Sequence, residues 1–105
     1  MEDREFNTLA DAALARIEAA LEASGADIDF ELAVGGVLEI EFADGSKIIV
    51  NRHGVAREIW VAARAGGFHY RLAGGEWRDT RTGAELHAAL AELLASQGGE
   101  RVDFG

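Results

Sequence analysis

Seven carboxylates in the first third of the chain are spaced so that they can act together. Asp11, Glu18 and Glu22 lie within about 40° of one another if the segment is helical, at roughly 100° per residue. Asp3 stands at the edge of the same strip. Asp27, Asp29 and Glu31 alternate with Ile28, Phe30 and Leu32, which puts the three acids on one face of a strand. Rows of carboxylate oxygens suit hard cations such as iron, manganese, calcium or magnesium, held weakly and with much of their water retained. No His or Cys falls in residues 1–46 to tighten such a site. Asp3, Asp11, Glu18, Glu22, Asp27, Asp29 and Glu31 are therefore the candidate metal ligands. The run from Asp27 opens like a calcium-binding loop, but its sixth position is Leu32 and its twelfth Leu38, where that loop needs Gly and Glu.

A second group lies on the central hairpin. Leu38, Ile40 and Phe42 alternate with Glu39 and Glu41, so both acids share the wet face of a strand. They can stand across from Asp29 and Glu31, and like charges opposed on a sheet are destabilising. A counter-cation or a basic protein patch would relieve them. Further on, if Ile59 and Val61 face inward, Trp60 faces outward. An outward Trp beside an amide such as Asn51 has the make-up of an interface hot spot. Asn51, Trp60, Glu39 and Glu41 are the candidate partner-binding residues. His53, His69 and His87 fall in a loop, a strand and a helix with no metal-ligand spacing. The glycine pairs precede strands rather than helices, so they read as turns and not as phosphate cradles. No catalytic residue is expected, and the chain reads as a binding protein rather than an enzyme.

Composition agrees. The chain of 105 residues reads as one domain, 1–105, without Cys or Pro; thiolate metal sites and disulfides are excluded. Residues 1–46 hold twelve carboxylates against two basic side chains, while residues 47–105 are nearly balanced, for a net charge of −9. Nucleic acid and anionic membrane are disfavoured as partners, and a cation or basic protein surface is favoured, although acid can also serve only solubility. No apolar run approaches the ~18 residues of a membrane span, and the N-terminus does not read as a signal peptide, so the expected location is cytoplasmic.

These residues need a scaffold. Phe6, Leu9, Ala10, Ala13, Leu14, Ile17 and Leu21 predict a helix over 3–23, capped by Asp3 and ended by Gly25. Strands follow over 27–32 and from Leu38 to Phe42, joined through Val34-Gly35-Gly36. Asp44-Gly45 reads as a two-residue hairpin turn into the strand 46–51. After a loop from Arg52 to Arg57, a strand begins at Glu58; Gly66-Gly67 turns into Phe68–Leu72, and Gly74-Gly75 turns into Glu76–Asp79. Thr82-Gly83-Ala84-Glu85 has the form of a capping box for a second helix, which Gly98-Gly99 closes. The tail retains Val102 and Phe104, expected to fold back and cover an edge. Short turns demand antiparallel pairing. The expected class is α+β: a two-layer α/β sandwich in the order α-β(5-6)-α, with two helices packed on one face of an antiparallel sheet and the other face left bare.

Taken together, Leu9-Ala10-Asp11, Gly36-Val37-Leu38, Asp44-Gly45-Ser46-Lys47-Ile48-Ile49, Asn51-Arg52, Ile59-Trp60, Gly66-Gly67-Phe68-His69-Tyr70 and Glu76-Trp77 resemble the bacterial frataxin (CyaY-type) family nearly end to end. The resemblance implies the frataxin-like sandwich and weak binding of iron, Fe²⁺ or Fe³⁺, on an acidic ridge of the first helix and first strand. It also implies a regulatory partnership with the cysteine desulfurase and scaffold protein of iron–sulfur cluster assembly. The expected state is a monomer, with iron able to drive oligomers. By position, the ridge would be Asp3, Asp11, Glu18, Glu22, Asp27, Asp29 and Glu31, and the sheet surface Asn51 and Trp60. The chain departs from the family pattern in a thinner acidic run at Glu22-Ala23-Ser24-Gly25-Ala26, in Asn7 where some members offer His, and in Gly54-Val55 where relatives often carry Pro. Glu39 and Glu41 shift the acidity toward the strands. The alternative is an acidic protein-interaction module that acts on the desulfurase with metal binding incidental.

Overall fold

The computed structural model describes residues 1–104. Helix α1 (Asp3–Ser24) buries Phe6, Ala10, Ala13, Leu14, Ile17 and Leu21 and stops at Gly25, which takes the left-handed conformation. Six strands follow: β1 (Ile28–Ala33), β2 (Val37–Phe42), β3 (Lys47–His53), β4 (Glu58–Ala63), β5 (Gly66–Ala73) and β6 (Glu76–Asp79). They form one sheet in chain order, every neighbour antiparallel. Helix α2 (Leu86–Gly98) closes the fold.

The period-2 pattern decides which face is dry. Leu38, Ile40, Phe42, Ile48, Val50, Ile59, Val61, Tyr70 and Trp77 are buried with the inner residues of both helices in a single core. Each fully buried Leu, Ile or Phe contributes about 1.5–3 kcal/mol of transfer free energy, and a one-residue slip would send a strand's whole apolar set to water. Phe6 of α1 meets Trp77 of β6 edge-on, with ring centroids 6.0 Å apart. The result is the expected α+β sandwich, with six strands.

Several local expectations are corrected. Asp3 is the first residue of α1 and does not cap it; the capping position is Glu2, whose side chain makes no cap hydrogen bond. Thr82 does not open α2. Glu85 occupies the cap, and its carboxylate accepts from the backbone N–H of His87 and Ala88, so a carboxylate meets the positive end of the helix dipole directly. The Asp44-Gly45 turn has three residues, Ala43–Gly45: Phe42 and Ser46 bond across its base and Gly45 takes φ 87°, the bulged hairpin that suits a left-handed third residue. Gly66-Gly67 is not a turn. These residues begin β5, and the chain reverses at Arg64-Ala65. The tail does fold back, over the seam between the helices: Val102 and Phe104 are buried, Arg16 of α1 donates Nε and Nη2 to the Phe104 carbonyl at 3.0 and 2.7 Å, and the Phe104 ring lies 5.9 Å from that of His87 in α2.

Candidate docking and cation-binding face

The β1–β2 hairpin brings four carboxylates together on the face away from the helices. Its register sets Asp29 opposite Glu41 and Glu31 opposite Glu39, a spacing of about 5 Å between Cβ atoms. Asp29, Glu31, Glu39 and Glu41, with Phe30, line a shallow depression of about 120 Å³. Lys47 at the start of β3 stands across from Glu41 but pairs with Glu39 at 2.8 Å. The hydrogen bond and charge of Glu39 push the Lys47 ammonium above its usual range. Among the described residues, Lys47 is the one cation in ion-pair contact with this group of four acids, and it pairs with Glu39 alone.

The α1 strip divides into two halves. Asp11 Oδ1 lies 2.9 Å from Arg52 Nε, a charge contact rather than an aligned hydrogen bond, and Asn7 accepts from Arg52 Nη1 at 2.9 Å. Asp3 pairs with Arg57, whose guanidinium also sits 5.8 Å from the centre of the Phe6 ring. Arg57 takes a left-handed φ of 57° at the end of the β3–β4 turn, an uncommon conformation for a residue with a Cβ. The Arg52 side chain lies against Gly36, where a Cβ would stand 2.3 Å from Nε. Asp3 and Asp11 are therefore bound to the protein's own arginines, while Glu18, Glu22, Asp27, Asp29, Glu31 and Glu41 form no ion pair among the described residues. Among the described residues, no three His, Asp or Glu side chains gather closely enough to cage a metal ion.

The outer face of β3–β5 carries a construction that residue types alone did not reveal. Trp60 does face outward, with Asn51 opposite it on β3 and His69 opposite it on β5. Its ring is the middle of three: His53 stacks on one side at 3.8 Å and 11°, His69 on the other at 4.4 Å and 8°. Trp60 is consequently half-buried. Asn51 donates Nδ2 to the Arg52 carbonyl at 3.3 Å. Below the stack lies Glu58, its side chain only 7% exposed, accepting from Trp60 Nε1 at 2.9 Å and Arg71 Nη2 at 2.6 Å, with His69 Nδ1 at 3.5 Å. Burial alone would raise its carboxyl; the Trp60 and Arg71 hydrogen bonds and the Arg71 and His69 charges outweigh burial and hold it below the usual range.

The signal for this group was in the turn. Reversal at Arg64-Ala65 places residue 60 opposite 69 in a two-residue hairpin, whereas a turn at Gly66-Gly67 conceals that opposition. His87 is also bound in place, with Nδ1 2.8 Å from the Glu85 carboxylate.

The sequence model of the frataxin-like domain (Frataxin_Cyay) matches residues 1–100. The iron–sulfur cluster assembly protein CyaY of Dechloromonas aromatica is 69% identical over 102 residues, 97% of each chain. Among solved structures, the frataxin of Psychromonas ingrahamii superposes with a TM-score of 0.93 at 38% identity, covering 100% of this chain and 99% of that one. A trimeric frataxin from the yeast Saccharomyces cerevisiae, complexed with ferrous iron, superposes with a TM-score of 0.69 at 26% identity, covering 95% of this chain and 88% of that one.

Proposed function

The chain belongs to the frataxin-like family, and on that premise we propose that it is an iron-binding regulator of iron–sulfur cluster assembly. It docks on the cysteine desulfurase and its scaffold protein through the β1–β2 acidic face and the Trp60 face. It has no reaction of its own and works in the cytoplasm. The observation that carries this reading is the register Asp29–Glu41 and Glu31–Glu39. Two like-charged pairs opposed on one hairpin cost folding free energy, and a basic patch on a partner or a bound cation recovers it.

Iron enters as cargo or signal. Asp27, Asp29, Glu31, Glu18 and Glu22 offer oxygen donors only, spread along α1, the bend that holds Asp27 just before β1, and β1 itself. Such a donor set suits a hard cation held by one or two carboxylates and water. Asp3 and Asp11 would have to give up Arg57 and Arg52 before they could contribute.

Anaerobic titration of the ¹⁵N-labelled protein with Fe²⁺ tests this. Line broadening concentrated at Asp29, Glu31, Glu18 and Glu22 is expected, followed by changes at Trp60 and Asn51 on adding the desulfurase. Broadening confined to other surfaces, or no desulfurase response at Trp60, would refute the assignment.

A second reading is favoured by the arginine pairs at Asp3 and Asp11. There the face binds the desulfurase directly and metal is incidental. It requires equal desulfurase affinity with and without iron, and a steep loss of affinity with salt.

A further inference from the structure

The Glu58 carboxylate is buried on the face of the sheet that no helix covers, a costly place for a charge unless it is fully paired. Its pairing goes to the one aromatic residue the docking reading depends on. Oε1 takes the Trp60 indole N–H at 2.9 Å, and Oε2 takes Arg71 at 2.6 Å. The indole is engaged on its other sides as well. His53 and His69 lie parallel to it at 3.8 and 4.4 Å, so neither π face is open to a partner's ring or cation. His53 is itself fixed, because its Nδ1 accepts the Ala56 backbone N–H at 3.2 Å. With the N–H and both faces taken within the chain, only the carbon rim of the ring points outward, in line with the rims of the two imidazoles.

We infer that Glu58 is a positioning residue for docking through Trp60: by holding the indole N–H it sets the ring upright between His53 and His69, so that a partner meets a strip of three ring rims. The anchor this strip accepts is a side chain laid across the rims, its apolar body over the indole carbons and a polar atom toward an imidazole Nε2, since both Nδ1 atoms are engaged within the chain. A stacked ring or a cation over the indole is rejected unless a histidine is displaced. The inference rests on the docking reading above and adds to it three residues, Glu58, His53 and His69.

The two indole N–H resonances of Trp60 and Trp77 are distinguished in ¹H–¹⁵N spectra by Trp60→Phe, and affinity is measured with purified cysteine desulfurase. In Glu58→Ala the Trp60 resonance moves toward that of free indole, its exchange with water quickens, and affinity falls about tenfold or more. Glu58→Gln keeps an oxygen acceptor within reach; its resonance stays near the parent's and its affinity within about threefold. A merely structural role would instead weaken binding only in proportion to the unfolded fraction, with no rescue by Gln, and that result overturns the inference. So does a shifted indole with unchanged affinity, or an indole that does not move. Should Glu58→Ala fail to fold, Glu58→Asp keeps the charge one methylene short of the indole and is read by the same two outcomes. Unchanged affinity in Trp60→Ala would overturn the docking reading itself, a result distinct from any that the Glu58 variants give.

Discussion

Replacing Asp29 and Glu31 with Asn and Gln removes one charge from each opposed pair of the β1–β2 hairpin while keeping the size and shape of both side chains. Two unit charges about 5 Å apart in a water-like dielectric repel by about 0.8 kcal/mol. At physiological ionic strength the Debye length is about 8 Å, which brings this to about 0.4 kcal/mol per pair, inside the range measured for cross-strand pairs. Asp29 faces Glu41 and Glu31 faces Glu39, so the double variant gains roughly 0.8 kcal/mol. The Lys47 contact with Glu39 trims that sum slightly. For a domain of this length the gain raises the melting temperature by about 3–6 °C. Thermal unfolding followed by circular dichroism in low salt and in 1 M salt reads the effect, and the difference between variant and parent should nearly vanish at 1 M. The same variant should bind the desulfurase more weakly. A lower melting temperature, or a gain that survives high salt, would refute the claim that these acids are held together at a folding cost.

Trp60→Ala should keep the fold, lose about 1–2 kcal/mol of stability with its two stacked histidines unsupported, and lose desulfurase affinity in a direct binding assay. Tyr70 is the only tyrosine, and burial, with the Asp79 and Glu85 carboxylates adding to it, pushes its phenol up to about 12. The phenolate is the charged form, so the folded state holds this proton more tightly than the unfolded state does. The stability it contributes is complete below about pH 10, the ordinary tyrosine value, and is lost as pH rises through the folded value. An ultraviolet titration should show a single tyrosinate transition near the folded value in native protein and near 10 in denaturant. Gly36→Ala should destabilise by about 1–3 kcal/mol in a urea melt, because φ is 75° there and the new Cβ would collide with Arg52. It should also loosen Arg52 from Asp11 and Asn7, visible as faster water exchange of the Arg52 guanidinium N–H signals in ¹H–¹⁵N spectra.

Much of this protein could be read without coordinates. Helix α1, the strand alternation of β2 and the single dry face follow from apolar spacing, because only one register of each element hides Leu38, Ile40, Phe42, Ile48 and Val50 from water. The opposition of Asp29 and Glu31 to Glu41 and Glu39 was legible for the same reason: the pleat ties the position of each acid to that of its buried neighbour. The cap of α2 was not. Thr82 and Glu85 have the residue types of a capping box, and the choice between them depends on where the chain leaves β6, which the Arg78–Glu85 bridge sets.

The amino-acid order by itself determined the two-layer class, the outward direction of Trp60 and the crowding of acid into the first half, since each depends on local periodicity or on charge count. Tertiary structure alone decided which of those acids are answered. Arg52 and Arg57 lie more than forty residues beyond Asp11 and Asp3, yet pairing of β3 with β4 under α1 delivers them to those carboxylates, while among the described residues Glu18 and Glu22 form no ion pair and the β1–β2 face has only Lys47, at Glu39. Likewise the His53–Trp60–His69 stack over Glu58 exists only because two hairpin turns bring three strands into register, and a contact between strands is set by turn geometry that no single residue's character encodes.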